Sequence, residues 1–376
     1  MVLKNQKRKT SAYLDCNATS PVRPQVLEVM AEWEGIPLNP SSPHRLGKKA
    51  KQLIQQARTH VLTAVGASGA DLYFTSCGTE ANTLVLNNGW DHIFCSATEH
   101  ASIYQHPQTT KIPVLKSGII DLDALKKCLD KTKGQRVLVS VHWANNETGI
   151  IQPIQEIRNT AHHYNAFIHT DGVQAFGRIP LSFDEMGLDF MSISSHKVGG
   201  SQGSGGVVCR KGLSIAPIFY GGAQENKVRP GTENVRAIVG FGEAVKWFDF
   251  DRMMVLEKHF RELEKKLSCF FFELGQQFFV IGADQKRLPQ TSCLGVCGFL
   301  NQSQLIYLDL KDVSASIGSA CSSGTIKPSH VLCNMGVEEE ERKSSLRISA
   351  GWHTKEEELL LFYDVWTAFW AEKRKG

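Results

Sequence analysis

The order of apolar and polar positions predicts a chain in which strands and helices alternate. Apolar residues recur at helical spacing after Pro21 to about Trp33, and again from Leu46 to Val65, where Gly66 ends the pattern. Short runs typical of buried strands occupy residues 71–75, 92–96, 136–143, 167–171, 189–193 and 206–209. A repeated strand–helix order implies a largely parallel sheet with helices on both faces.

The pattern changes in the last third of the chain. A long helical stretch from Asn234 to about Gly275 has no strand-like run beside it. Two short strand-like runs follow it, at residues 279–281 and 292–297. We therefore expect a large domain over residues 11–250 and a small C-terminal domain over 251–376, with residues 1–15 packing against the small one.

Composition excludes several classes of protein. The chain has 376 residues, which is enough for two domains, and its 42% hydrophobic and 21% charged residues are ordinary for a globular protein. A net charge of +4 is too small to indicate a nucleic-acid partner, and no stretch has the apolar length of a membrane span. The ten cysteines are scattered and the basic start lacks the apolar core of a secretory signal. Both features favour reduced thiols in the cytoplasm.

Polar residues follow the predicted strands at the points where the strands end. Because the carboxyl ends of parallel strands meet at one edge of a sheet, these residues should line a single cleft. The residues in question are Gly78 with Thr79, His100, Asn146, Asp171 and Lys197.

The cleft residues suit a pyridoxal phosphate site. A lysine at the end of a buried strand, such as Lys197, commonly forms a Schiff base with a carbonyl. Ser194 and His196 beside it can hold a phosphate, and a carboxylate at Asp171 would keep a pyridine nitrogen protonated. Gln174, one turn further, could meet the ring hydroxyl.

Each of these residues also has an ordinary structural interpretation. Lys197 could be a surface lysine beside a glycine-rich loop, and Thr79 and Asp171 could simply cap helices. His100 could stack on the cofactor ring and shuttle protons, or be a structural histidine at a strand end.

Two residues of the predicted small domain also carry candidate chemistry. Cys321 lies in a segment of small residues, which suits an exposed, travelling thiolate nucleophile but also a plain linker thiol. Arg347 could bind an amino-acid carboxylate or be a solvated arginine. Cys293 and Cys297 would fall on one face of a strand, where a packed pair is more common than a metal site.

Taken in order along the chain, these motifs resemble those of cysteine desulfurases in the class V aminotransferase family. The resemblance runs from about Tyr13 to Trp370, nearly the whole chain. The motifs that carry it are 16–19, 78–80, 98–100, 145–147, 171–174, 194–197, 229–232, 318–323 and 344–347.

The resemblance implies a fold and a set of roles. The fold is that of the fold-type I pyridoxal phosphate enzymes, an α/β large domain with a mainly parallel seven-stranded sheet flanked by helices, plus a smaller α+β domain that carries the mobile cysteine loop. Lys197 would carry the cofactor and move protons, His100 would stack on its ring, and Cys321 would attack the substrate sulfur. Asn146 and Arg347 would bind the substrate. The implied cofactor contacts are Gly78, Thr79, His100, Asn146, Asp171, Gln174, Ser194, His196 and Lys197, with Thr232 reaching in from the other subunit.

The implied reaction converts L-cysteine to L-alanine and leaves a persulfide on Cys321 for a sulfur acceptor or iron–sulfur scaffold protein. The implied assembly is a homodimer. No resident metal is expected, although Cys321 could ligate a cluster transiently with a scaffold. Two other functions stay open: a selenocysteine lyase or aminotransferase on the same scaffold, and a catalytically silent partner that binds a scaffold protein.

The chain also departs from the family pattern. Ser195 stands where many relatives have glycine, and the turn after Lys197 is glycine-rich instead of containing Tyr, Pro and Lys. These differences bear on the rigidity of the cofactor loop and not on its chemistry. Cys77 replaces a usual glycine, and the chain ends soon after Trp370, so the longer scaffold-docking tail of some relatives is not expected.

Overall fold

A computed structural model describes residues 11–318 and 328–373, which form two compact units. The large unit comprises residues 20–146 and 150–250. The small unit comprises the described parts of residues 1–19, 147–149 and 251–376. Each unit has its own sheet and its own apolar core.

The strands of the described residues, in chain order, are β1 (Ala12–Tyr13), β2 (Ala70–Thr75), β3 (His92–Ser96), β4 (Thr109–Ile112), β5 (Val137–Ser140), β6 (Phe167–Asp171), β7 (Phe190–Ser194), β8 (Gly205–Arg210), β9 (Phe278–Val280), β10 (Thr291–Val296), β11 (Val313–Ser314) and β12 (Ser345–Ser349).

The α-helices of the same residues are α1 (Pro24–Ala31), α2 (Arg45–Ala64), α3 (Gly78–Leu86), α4 (Ala101–Tyr104), α5 (Leu122–Leu129), α6 (Ile154–His163), α7 (Phe183–Met186), α8 (Val235–Ala244), α9 (Phe250–Glu273), α10 (Asn301–Leu310), α11 (His330–Asn334), α12 (Glu339–Ser344) and α13 (Glu356–Lys373).

The large unit contains a seven-stranded sheet in the order β2-β8-β7-β6-β5-β3-β4. The five strands from β7 to β4 are parallel, while β8 runs antiparallel to both β7 and β2. Strand β8 follows β7 after a short connection that is too tight for the crossover a parallel pair requires. The predicted α/β class with a mainly parallel sheet is therefore confirmed.

The small unit is built on antiparallel strands in the order β12-β10-β9, with β1 and β11 forming a separate parallel pair. Its core is rich in aromatic side chains. Helix α13 buries Phe362, Trp366 and Phe369, and Trp366 packs edge-on against Phe271 of α9. Burial of these large aromatic side chains contributes to the hydrophobic stabilisation of the unit.

Two helix boundaries differ from the sequence prediction. Helix α1 begins at Pro24 rather than Pro21, because Arg23 is extended, as expected for a residue that precedes proline. The long helical stretch is interrupted after Trp247, where Phe248 is extended and separates α8 from α9. In residues 11–318 and 328–373, no helix is both long and apolar enough to cross a membrane.

Candidate active site

A pocket with a cavity volume of about 130 Å³ opens at the carboxyl ends of the parallel strands in the large unit. All nine cofactor contacts expected within one subunit line it: Gly78, Thr79, His100, Asn146, Asp171, Gln174, Ser194, His196 and Lys197. Five further residues line it that the sequence analysis does not assign: Cys77, Asn82, His142, Ala144 and Val173. The residues predicted to share a cleft from their positions after strands are thus found together.

Asp171 is the last residue of β6 and its carboxylate is held from two sides. Oδ2 accepts a hydrogen bond of 2.8 Å from Asn82 Nδ2, and Oδ1 accepts one of 3.0 Å from the backbone N–H of Val173. The side chain is buried, with 7% of the residue exposed. Both donors fix the orientation of a carboxylate that faces the pocket.

Asn82 also connects Asp171 to His100. Its amide nitrogen lies 2.9 Å from Ser102 Oγ, which in turn lies 2.8 Å from His100 Nδ1. Because Nδ1 also accepts from the backbone N–H of Ser102, the Ser102 hydroxyl is the donor to it, and the proton of the neutral imidazole lies on Nε2. A hydrogen-bond chain therefore positions the acid and the imidazole of the pocket together.

A phosphate-sized cradle forms where α3 begins. Gly78 is the first residue of this helix, and a Cβ at its position would lie 2.8 Å from Val173 Cγ2. A larger residue at this position would have to displace the Val173 side chain. Ser194 Oγ is buried and has no hydrogen-bond partner among the described residues. A buried hydroxyl without a partner beside a helix N-terminus suits a bound anion.

His196 contributes to the same wall of the pocket. Burial, with the positive charges of Lys197 and Arg178, lowers the pKa of His196 to about 4. The imidazole of the protein without ligand is therefore neutral at neutral pH and can donate one N–H to an anion. Arg178 also donates to Gln174 Oε1, which orients that amide in the pocket.

The glycine-rich turn after Lys197 is anchored on both sides. The carbonyl of Gly199 accepts from Arg23 N at 2.8 Å, and the carbonyl of His196 accepts from Ser20 N at 2.9 Å. The backbone N–H of Gly200 donates to the carbonyl of Ser195 at 3.1 Å, and a Cβ at Gly200 would press on the Ser195 side chain. Although the residues of this turn depart from the family pattern, its backbone contacts still fix the position of Lys197.

Two predicted site residues that the structure describes do not line the pocket. Thr232 belongs to the large unit and is exposed. Arg347 belongs to the small unit, where it is 5% exposed and its Nη2 lies 2.6 Å from Asp15 Oδ1. Cys321 lies outside the described residues. The roles of these three residues stay predictions.

Comparison with known proteins gives the family of the chain. The family model described as aminotransferase class-V matches residues 12–362. This chain belongs to the class-V aminotransferase family. A curated member of it, cysteine desulfurase IscS of Dictyoglomus turgidum, is 37% identical over 380 residues, covering 95% of this chain and 94% of that protein.

Solved structures of class-V relatives agree with this assignment. A NifS-like protein from Rickettsia africae superposes with a TM-score of 0.90 at 38% identity, covering 96% of this chain and all 100% of that one. SspA, solved in complex with cysteine, superposes with a TM-score of 0.78 at 27% identity, covering 92% of this chain and 100% of that chain.

Class-V aminotransferases and cysteine desulfurases depend on pyridoxal phosphate. The pocket fits this group on its own evidence. It offers a lysine, a fixed carboxylate and an imidazole, and it has an unpartnered buried hydroxyl beside a helix N-terminus for the phosphate.

Proposed function

We propose that this chain is a pyridoxal phosphate-dependent cysteine desulfurase that forms L-alanine from L-cysteine and holds the sulfur as a persulfide on Cys321. The observation that carries the proposal is the convergence of Lys197, Asp171 and His100 on one pocket. These three groups supply an amine, an acid and a base, which is the minimum set for removing a proton from an amino acid bound to the cofactor.

The relatives support the choice of cysteine as substrate. The Dictyoglomus turgidum relative is named a cysteine desulfurase, and SspA was solved with cysteine bound. Both are similar to this chain over more than nine-tenths of its length. We extend their substrate to this chain on that basis.

Each pocket residue has a defined task in this proposal. Bound pyridoxal phosphate supplies a ring that accepts electrons from the substrate α-carbon. The Lys197 amine holds the cofactor and carries a proton to and from the substrate. Asp171, oriented by Asn82, stays an acceptor for the pyridine N–H. His100, whose Nδ1 is occupied by Ser102, presents Nε2 as its reactive nitrogen.

The sulfur transfer balances without any further reagent. The Cys321 thiolate attacks the sulfur of cysteine, an S–S bond forms and the C–S bond breaks. The two electrons of that bond remain on the substrate carbon, which takes up a proton and becomes the methyl group of alanine. The two sulfurs together lose the two electrons that the carbon gains, so the sulfurs are oxidised and the carbon is reduced. Arg347 is proposed to hold the substrate carboxylate, as a guanidinium fork suits it.

We also propose a homodimer in which Thr232 of one subunit reaches the phosphate site of the other. Two observations support it. Thr232 is exposed and does not line the pocket of its own subunit, and the nearby loop presents Tyr220, which is 97% exposed. The persulfide would then pass to an acceptor or iron–sulfur scaffold protein in a reducing compartment such as the cytoplasm, where free thiols persist.

The proposed function is tested by incubating the cofactor-loaded protein with cysteine and a thiol reductant. Alanine and sulfide should form in equal amounts. Absence of alanine, with a keto acid that appears only when an amino-group acceptor is added, would contradict desulfuration and favour an aminotransferase. A parallel assay with selenocysteine distinguishes the proposed cysteine desulfurase from a selenocysteine lyase, for which cysteine should be a poor substrate.

Ser194→Ala should affect binding and stability in different ways. The hydroxyl has no partner among the described residues, so its loss should leave the free energy of unfolding of the cofactor-free protein unchanged or raise it by up to about 1 kcal/mol. Without its donor to the phosphate, pyridoxal phosphate should bind roughly tenfold more weakly. Urea denaturation and cofactor titration measure the two quantities.

Ser195→Ala is the matched control for this prediction. Its Oγ is equally buried and also lacks a partner among the described residues, but Ser195 does not line the pocket. It should leave cofactor affinity unchanged. Equal cofactor affinity in wild-type protein and Ser194→Ala would remove Ser194 from the phosphate site.

A further inference from the structure

A buried glutamate and histidine form a pair at the wall of the pocket. Glu99 follows β3 and His142 follows β5, and they are 0% and 4% exposed. Glu99 Oε1 lies 2.8 Å from the backbone nitrogen of His142 and 2.9 Å from its Nδ1. The carboxylate oxygen therefore fixes both the backbone and the ring of His142.

The pair determines which nitrogen of His142 carries the hydrogen. A carboxylate acts as an acceptor, so Nδ1 carries the hydrogen that points to Glu99. The other nitrogen, Nε2, is buried and has no hydrogen-bond partner among the described residues. His142 is one of the residues that line the pocket. Its second nitrogen is thus a polar atom oriented by a carboxylate and lacking a protein partner.

An unpartnered nitrogen in this position has a cost. A buried polar atom without a hydrogen bond destabilises a protein, so its presence in a native structure calls for an explanation, such as a catalytic role or a bound water, ion or ligand. A histidine kept only for its bond to Glu99 would not require a ring with a second nitrogen at the pocket wall. The side-chain amide of an asparagine could make the hydrogen bond that Nδ1 makes to Glu99.

We propose that His142, oriented by Glu99, is a positioning residue whose Nε2 accepts a hydrogen bond from a donor group of pyridoxal phosphate itself. This rests on the proposed function, since it takes the pocket to be the cofactor site. His142 does not belong to the hydrogen-bond chain of Asp171, Asn82 and His100. It is oriented by a different carboxylate, that of Glu99. It adds a second oriented contact to the cofactor.

Two amide substitutions test the two nitrogens of the ring one at a time. The amide of asparagine reaches the position of Nδ1, and that of glutamine the position of Nε2. If Nε2 contacts the cofactor, His142→Gln should bind pyridoxal phosphate as wild type does, within about threefold, and His142→Asn roughly tenfold more weakly. The cofactor is titrated into cofactor-free protein without cysteine and binding is followed by absorbance.

Thermal unfolding of the cofactor-free variants should show the opposite order. His142→Asn keeps the bond to Glu99 and should unfold at a higher temperature than His142→Gln. A purely structural histidine would give the same order in both measurements, with asparagine better in each. That result, or equal cofactor affinity in all three proteins, would overturn the proposal.

A third variant covers the case in which His142→Asn does not fold. His142→Met fills a similar volume without a nitrogen at either ring position, and should also bind pyridoxal phosphate roughly tenfold more weakly than His142→Gln. Wild-type protein that bound no pyridoxal phosphate would refute the site itself. Wild-type binding with the order of the variants reversed would refute only the role of His142.

Discussion

Lys197→Ala should lose the visible absorbance of lysine-linked pyridoxal phosphate and form alanine from cysteine roughly a thousandfold more slowly, or worse. The lysine is the amine of the pocket that the proposal uses both to hold the cofactor and to move the substrate proton. Noncovalent contacts to the phosphate and the ring remain, so the variant should still bind the cofactor, but weakly and with the absorbance of the free aldehyde. Absorbance and alanine assays check the two parts.

Lys211→Ala is the control for this substitution. Lys211 is an exposed lysine of the large unit just after β8 and does not line the pocket. It should keep wild-type absorbance and turnover. An unchanged absorbance band in Lys197→Ala would mean that another lysine carries the cofactor.

Cys321→Ala should retain the cofactor but lose sulfur transfer. Lys197, Asp171 and His100 do not depend on the thiol, so absorbance and cofactor affinity should match wild type. Removing the nucleophile should lower sulfide formation from cysteine roughly a thousandfold. Mass spectrometry of the wild-type protein after brief exposure to cysteine should find one added sulfur on the peptide that contains Cys321.

Cys333→Ala is the matched control for the thiol. Cys333 is an exposed free cysteine of the small unit, so it would react with the same reagents. Its removal should change neither turnover nor the persulfide on Cys321. Full sulfide production by Cys321→Ala would exclude Cys321 from the reaction.

The strand ends were the most predictable part of the site. Polar residues at or just past the ends of buried runs, such as Asp171 at the end of β6 and His100 after β3, are placed by the geometry of a parallel sheet and require no knowledge of side-chain contacts. Strand β8 was predicted, but its antiparallel direction depends on how tightly the glycine-rich turn closes. In that turn the backbone N–H of Gly200 donates to the carbonyl of Ser195 at 3.1 Å, a contact that the sequence does not reveal.

The residues that support the site were harder to predict. Asn82 lies one turn beyond Gly78 on α3, so helical spacing could have placed it on the same face, but its two hydrogen bonds join residues far apart in the chain. His142 lies within an apolar run and reads as part of a buried strand. Only the pairing with Glu99 shows that it carries an oriented polar atom.

The central claim is that Lys197 is the amine that holds pyridoxal phosphate in the pocket of Asp171 and His100. The most direct test is to load the protein with the cofactor, reduce the carbon–nitrogen bond with borohydride, digest it and map the modified peptide by mass spectrometry. The label should be found on Lys197. A label on any other lysine, or no label on a protein that has bound the cofactor, would contradict the claim.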